Sequence, residues 1–388
     1  MKINTHNLSR LALFSFFFVV CFATNAQVSG TKYIFRDIKR LDASPVRDQY
    51  HSGTCWDFST SSFLESELLR MGKGEYQLSE MFFARMDYEE KAIWYIKMHG
   101  AMSWGQGGEF HDVMRIYKEY GAMPYDAYPG NFELPGKPKL FELEAVLKGM
   151  LDAVIKNPDG DLSPYWKDAV KGVLDAYLGK VPEKFVYKGK EYTSKTFAAM
   201  LGIDPDDYVE LTSVTDEPVY GQFVNYVTDN WHSDLIYNLP LNDLKDVLNY
   251  SIDKGYTIAW GASVSGQPGF AYKKGVAVLP DVEWDTIAKD KRDTFVDNPM
   301  KQKTVTPEWR QHEIDNYNTQ DDHGMQITGE AEDQLGDKFY IVKNSWGSKL
   351  GNYNGYFYAS ESYVLAKTTG IMVNKKAIPR ELARKLGI

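Results

Sequence analysis

The chain is 388 residues long and carries 44 Lys+Arg against 53 Asp+Glu, a formal net charge of −9. That acidic balance, with no run of Lys or Arg, excludes the electrostatic footprint of a nucleic-acid binder. The length suits one large domain or two ordinary ones, and 26 Tyr, 20 Phe and 9 Trp are ample for a sizeable core.

Residues 1–26 read as a cleaved secretory signal. Lys2 and Arg10 precede the apolar run Leu11–Ala23, and small residues lead to Ala26. The run is too short to span a bilayer as a helix, which takes roughly 20 apolar residues. A lipid anchor at Cys21 is the rival reading, disfavoured because Val20 is not the small residue such a motif wants. No later stretch is long and apolar enough to cross a membrane, so an exported chain (periplasmic or extracellular) without membrane insertion is expected. Loss of the signal leaves 42 Lys+Arg against 53 Asp+Glu, a net of −11. It also removes Cys21, and Cys55 becomes a lone cysteine with no internal disulfide to make. A lone thiol in an oxidising compartment is either buried and inert or kept for its reactivity.

The first mature segment, 27–130, leans helical. A helix should begin at Cys55 after the turn-like Ser52-Gly53-Thr54 and stop before Gly72. A second should start near Ser79 as N-cap, and a third places Phe110, Val113, Met114 and Tyr117 on one face and ends at Gly121. From 131 to 254 the texture is charged and helix-leaning, closing with an amphipathic helix through Leu241, Leu244, Val247, Leu248 and Ile252. Segment 255–375 is strand-like, with Tyr256–Val264, Phe339–Lys343 and Gly355–Ala359 as short runs bounded by Gly, Asn and Asp. Residues 376–388 form a basic, helix-leaning tail. Helices first and strands last imply an α+β protein of two subdomains with a large helical insertion.

Acyl transfer by a thiol needs an ionisable sulfur, a neighbouring base, and donors for the oxyanion. Cys55 at a helix start favours the thiolate through the dipole and free N–H groups. Gln49, six residues upstream, offers a side-chain amide, with the Cys55 backbone N–H as a second donor. The stretch Val46–Ser59 (VRDQYHSGTCWDFS) resembles the nucleophile segment of papain-like cysteine peptidases. The likeness continues at Leu78-Ser79-Glu80, at Gly105-Gln106-Gly107-Gly108, at Asp322-His323-Gly324-Met325, and at Lys343-Asn344-Ser345-Trp346-Gly347. The resemblance implies the papain-like fold, with a helical half and a β-barrel-like half flanking a cleft. It implies Cys55 as nucleophile, His323 as base, Asn344 as the residue orienting the base, and Gln49 in the oxyanion hole. Trp346 would shield the His–Asn bond, Asp322 would tune the neighbourhood, and Gly107 and Gly108 would offer backbone groups to an extended peptide substrate. By analogy Trp260 lines part of the side-chain pocket.

Three departures point to one branch. The signal is followed too closely by Gln49 for a long propeptide, no disulfides are possible, and Cys55 and His323 lie 268 positions apart. These are similar to the bleomycin hydrolase/aminopeptidase C branch, as is the lead-in from Arg310 to His323. That resemblance implies removal of N-terminal residues from peptides, with the chain's own terminal carboxylate, here Ile388, meeting the substrate amine in the cleft. It also implies a closed homo-hexamer. The tail is more basic and helix-like than an inserted strand of chain would be, and a signal peptide is a second departure. The rival readings are a broad endopeptidase and, from a different class, a non-catalytic papain-fold peptide binder. No metal or cofactor is expected: His51, His99, His111, His232 and His312 show no metal spacing, and the Asp159–Asp161 and Asp204–Asp207 clusters read as turns.

Overall fold

The computed structural model describes residues 26–27 and 30–388; the predicted signal lies outside the described residues up to Asn25. Strands β1 (Ala26–Gln27) and β2 (Ile34–Arg40) pair antiparallel at the start of the chain. Three helices follow, α1 (Cys55–Arg70), α2 (Glu80–Lys97) and α3 (Phe110–Tyr120), within a residue or two of the predicted bounds. Ser79 caps α2 as its spacing predicts, its hydroxyl accepting the Phe82 N–H at 3.0 Å.

The segment expected as a helical insertion is mixed. It opens with α4 (Phe141–Ile155), α5 (Tyr165–Leu178), the hairpin β3 (Phe185–Tyr187) and β4 (Lys190–Tyr192), and α6 (Ser194–Leu201). These pack on α2 and α3 and share one apolar core with them through Leu143, Leu147, Leu151, Leu174 and Phe197. It then changes sides: β5 (Tyr208–Thr212), β6 (Gln222–Val224) and β7 (Leu235–Asn238) extend the main sheet, and α7 (Leu241–Asp253) lies on that sheet. The charged surface pattern hid these strands, whose buried residues are few and short in sequence.

The β half contains β8 (Ile258–Ala262), β9 (Phe270–Ala271), β10 (Val276–Ala277), β11 (His323–Glu332), β12 (Lys338–Lys343), β13 (Tyr356–Ser360) and β14 (Thr368–Asn374). Helices α8 (Lys289–Phe295), α9 (Pro307–Asp315), α10 (Glu361–Lys367) and α11 (Arg380–Leu386) decorate it. Its strands run in the order β6-β7-β5-β14-β8-β11-β12-β13-β10-β9, with β2 joining at the far end of β11. Arg310 of α9 is almost fully buried and donates to the carbonyls of Ser213, Leu365, Ala366 and Thr368 at 2.6–3.1 Å. One guanidinium thus satisfies backbone acceptors from three segments.

The two halves meet where α1 lies on β11. Alternate residues of a strand share a face, and Gly324 and Gln326 face the helix. Ser59, Ser62 and Ser66 stand opposite them on α1 at helical spacing. Ser62 donates to Gln326 Oε1 at 2.6 Å, and Gln326 Nε2 donates to Ser66 at 2.9 Å. Buried Lys343 of β12 adds bonds to Ser62 (2.6 Å) and Ser44 (3.0 Å). At Gly324 a Cβ would lie 2.7 Å from Ser59 Oγ and 3.1 Å from the Cys55 carbonyl oxygen. Only a glycine lets the strand come so close, and the next residue back along that strand is His323. Among the described residues no helix is long and apolar enough to cross a membrane.

Candidate active site

Cys55 is the first residue of α1 and is partly exposed. Gln106 holds the loop that delivers it: its Oε1 accepts the Gly53 N–H at 2.7 Å and its carbonyl accepts Trp56 Nε1–H at 2.9 Å. His323 opens β11, where it pairs with Ala262 of β8. The segment after β12 carries Asn344, Ser345 and Trp346, and it is tied to the Gln49 segment by main-chain bonds, Gln49 N–H to Ser345 O at 2.8 Å and Gly347 N–H to Arg47 O at 3.1 Å.

The His323 imidazole has its tautomer set by its neighbours. Asn344 Oδ1 accepts the Ser345 backbone N–H at 2.7 Å, which identifies that atom as the oxygen. His323 Nε2 lies 2.7 Å from the same Oδ1 and must therefore be the protonated nitrogen. Nδ1 is left as the basic atom. Trp346 stacks on the imidazole with centroids 4.6 Å apart and planes 29° from parallel, and Tyr272 packs edge-on behind it. Asn344 is only 2% exposed, so water has no access to the bond. Gln49 is buried with Oε1 accepting from Ser345 Oγ at 2.6 Å and Nε2 donating to the Ser52 carbonyl at 2.9 Å. Its orientation is fixed, and one N–H of the amide remains for another acceptor.

The Peptidase C1-like family profile matches residues 177–387, more than half of the chain. The chain belongs to the Peptidase C1-like family. It is 25% identical to aminopeptidase C of Listeria monocytogenes over 382 residues, covering 87% of this chain and 81% of that one. It is 22% identical to aminopeptidase W of Lactobacillus delbrueckii subsp. lactis over 388 residues, covering 88% and 83%. The crystal structure of PepW from Lactobacillus rhamnosis HN001 superposes with a TM-score of 0.69 at 21% identity, over 90% of this chain and 84% of that one. The fold is papain-like and α+β, and the chain is a cysteine-type peptidase of the bleomycin hydrolase/aminopeptidase C branch.

Electrostatics in this C1-like peptidase differ from the sequence expectation of a simply stabilised thiolate. Burial pushes the Cys55 thiol up to about 12; the Gly324 and Trp56 N–H groups oppose the rise, and the Asp321 and Asp229 carboxylates add to it. Burial pushes His323 down to about 4, against the bond to Asn344. Neither group is easily charged alone. Between those limits the pair holds a single proton, on the sulfur, with Nδ1 free to take it.

Several expected contacts are placed otherwise. Trp260 has no exposed surface; it sits in the core under α7 with Nε1 donating to Thr368 at 2.8 Å, so it lines no pocket. Its strand is sandwiched between β11 and β14, which the sequence analogy did not take into account. Gly108 is buried against the Trp56 ring, 3.0 Å from where its Cβ would be. Gly107 keeps only part of its surface free: Lys91 Nζ donates to its carbonyl at 2.5 Å, and the Asp229 carboxylate rests on its Cα face. Ile388 is far from the role foreseen for it. Its N–H donates to Ala383 O at 3.0 Å, and Leu382, Leu386 and Ile388 pack with the apolar core beneath α7. An amphipathic terminal helix gains more by burying those side chains than an extended tail would. Asp322 accepts the Val264 and Ser265 N–H groups at 3.0–3.3 Å, holding the turn after β8.

Sequence reasoning missed the serine stripe of α1, Ser345, Gln106, Asp229 and Asp321. Small polar residues at helical spacing were a readable sign for the stripe. Nothing in the sequence marked Asp229, because its place depends on a loop crossing from the other side of the sheet. His111, given no role, lies 3.1 Å from Glu210 and 3.5 Å from Asp234, and Arg115 joins Asp234 at 3.2 Å and Asp112 at 2.6 Å. With that guanidinium among the carboxylates the cluster is an ion network.

Proposed function

We propose that the chain is an exported cysteine aminopeptidase that releases N-terminal residues from peptides through a thioester. Cys55 gives its proton to His323 Nδ1 and attacks the carbonyl carbon. The oxyanion meets the free N–H of Gln49 and the Cys55 backbone N–H, which sits where helices leave donors unpaired. The intermediate collapses as His323 protonates the leaving amine, and a thioester remains on Cys55. Water, deprotonated by His323, attacks the thioester; the acid departs and the thiol is restored. The observation that carries this reading is the fixed His323–Asn344 pair at 2.7 Å under Trp346, next to a strand pressed onto the helix start that bears Cys55.

The export half of the reading rests on the N-terminal Lys2–Ala26 pattern, and a closed homo-hexamer is the assembly that the branch suggests. A second reading, a broad endopeptidase, is favoured by one observation: Ile388 packs with the apolar core beneath α7 rather than in the cleft. A fluorogenic dipeptide substrate and its N-acetylated twin separate the two. Faster cleavage of the free amine supports the aminopeptidase, and equal rates remove it. Loss of both activities in Cys55→Ala, with an acyl adduct on Cys55 trapped by a slow ester substrate, tests the chemistry.

A further inference from the structure

Near Cys55 stands a set of acidic groups that the mechanism above does not use. The loop between β6 and β7 carries Asp229 onto Gly107. A Cβ at Gly107 would fall 1.9 Å from Asp229 Oδ2 and 2.2 Å from Cγ, so the carboxylate is seated there because residue 107 has no side chain. No described residue hydrogen-bonds to that carboxylate. The cation nearest in charge terms, Lys91, is already held by Asp87 at 3.2 Å and by the carbonyls of Gly105 (3.3 Å) and Gly107 (2.5 Å).

Asp321, two residues before His323, accepts from Thr369 Oγ1 at 2.9 Å and faces Asp229. It also lines a cavity of about 410 Å³ with Thr228, Tyr226 and Tyr317. Glu109, only 8% exposed, is hydrogen-bonded to Asp321; burial, then the neighbouring carboxylates, push its carboxyl well up, and its Oε1 has no hydrogen-bond partner. A buried carboxyl oxygen left without a donor, beside two further acidic groups, is open to a donor brought from outside. The same Asp321 and Asp229 are the charged groups that act on the Cys55 sulfur.

We propose that Asp229, backed by Asp321 and Glu109, is the anchor for the free α-ammonium of the peptide substrate, in place of a terminal carboxylate from the chain. This rests on the aminopeptidase reading and adds its specificity determinant. An ammonium presents three donors, which suits convergent carboxylates and the vacant Glu109 oxygen. The 225–234 loop also covers the Gly107 surface along which a longer chain would run, so the anchor doubles as the wall that ends the cleft. A blocked amine would bring no charge and would leave the carboxylates unpaired, the condition under which such sites reject a ligand strongly.

Asp229→Asn in the full chain tests this with two readouts. The first is the ratio of kcat/KM for a dipeptide substrate with a free amine to that for its N-acetylated form; it should fall by about 10- to 100-fold, through both KM and kcat of the free amine. The second is the pH dependence of Cys55 alkylation by iodoacetamide, which should move to lower pH once a carboxylate facing the sulfur is gone. A wild-type ratio near one overturns the aminopeptidase reading itself. A high wild-type ratio that survives unchanged in Asp229→Asn overturns only this assignment. Should the variant not fold, wild-type protein answers the question: a dipeptide amide should slow Cys55 alkylation in competition with its acetylated form, and equal protection by the two overturns the anchor.

Discussion

Replacing Gly324 by Ala tests whether the closeness of β11 and α1 sets the rate. The added Cβ would stand 2.7 Å from Ser59 Oγ, 3.1 Å from the Cys55 carbonyl oxygen and 3.2 Å from Trp56 Cα, where ordinary contact begins at 3.4 Å. Ser59 Oγ can rotate away, but the other two atoms are backbone. The strand must therefore retreat by about 0.3 Å from the backbone alone, and by up to about 0.7 Å if the hydroxyl stays. His323 moves with it, directly away from the helix start that bears Cys55. If a misplacement of 1 Å costs on the order of 10²-fold, this retreat lowers kcat roughly 4- to 25-fold with KM little changed. Overpacking of the interface should also lower stability by about 1–3 kcal/mol. Steady-state kinetics on a dipeptide substrate and urea unfolding measure both. Adding Ser59→Ala removes the nearest contact and should bring kcat back toward the smaller loss. An unchanged kcat in Gly324→Ala, or no recovery in the double variant, would refute the argument.

Four further outcomes follow from the same geometry. Asn344→Ala removes the acceptor that holds the imidazole and should lower kcat about tenfold or more, whereas Asn344→Asp restores an acceptor and, by its charge, raises the acid limb of the pH–rate profile. In the wild type, depression of His323 to about 4 keeps the second proton off at neutral pH, so kcat/KM should be flat there and fall only well below pH 6; an acid limb at the ordinary histidine value would contradict the burial argument. For substrates with a free amine an alkaline limb near pH 8 is expected, because the amine loses its proton there (ordinarily at about 7.7–8.0). A short C-terminal extension beyond Ile388 should leave the free-to-acetylated ratio of kcat/KM within about twofold, since a helix packed under α7 takes no part in amine recognition; a collapse of that ratio would place the terminus in the cleft.

How legible the molecule was depended on whether a feature is local. Cys55 at the head of α1, Ser79 at the cap of α2 and Phe110–Tyr117 on one face of α3 are decided within a turn or two of chain, and their bounds were readable. The strands Phe339–Lys343 and Gly355–Ala359 were visible for the same reason, as apolar runs buried on both faces. What could not be read was long-range. Trp260 has the composition of a pocket wall, and only its neighbours β11 and β14 make it a core residue. Ile388 ends a chain whose last turns are amphipathic, and the competition between burying Leu382 and Leu386 and reaching a distant cleft is invisible along the sequence. The segment from 131 to 254 reads as one body because its texture is uniform. Yet α4 to α6 belong to the helical core and β5 to α7 belong to the sheet.

The charge arrangement around Cys55 links recognition with reactivity. Its sulfur must become an anion during attack, and Asp321 and Asp229 oppose that as long as nothing neutralises them. With an ammonium bound between them, their influence on the sulfur is largely cancelled, and the single proton of the pair passes more readily to Nδ1. The same ammonium brings its own carbonyl carbon, two bonds away, toward the thiol. A peptide with a free amine thus removes the part of the obstacle that the two carboxylates add to burial, while a blocked peptide leaves that part in place. Selectivity of this kind acts on kcat as well as on KM, because the interaction that seats the substrate also lowers the free energy of the ionised pair.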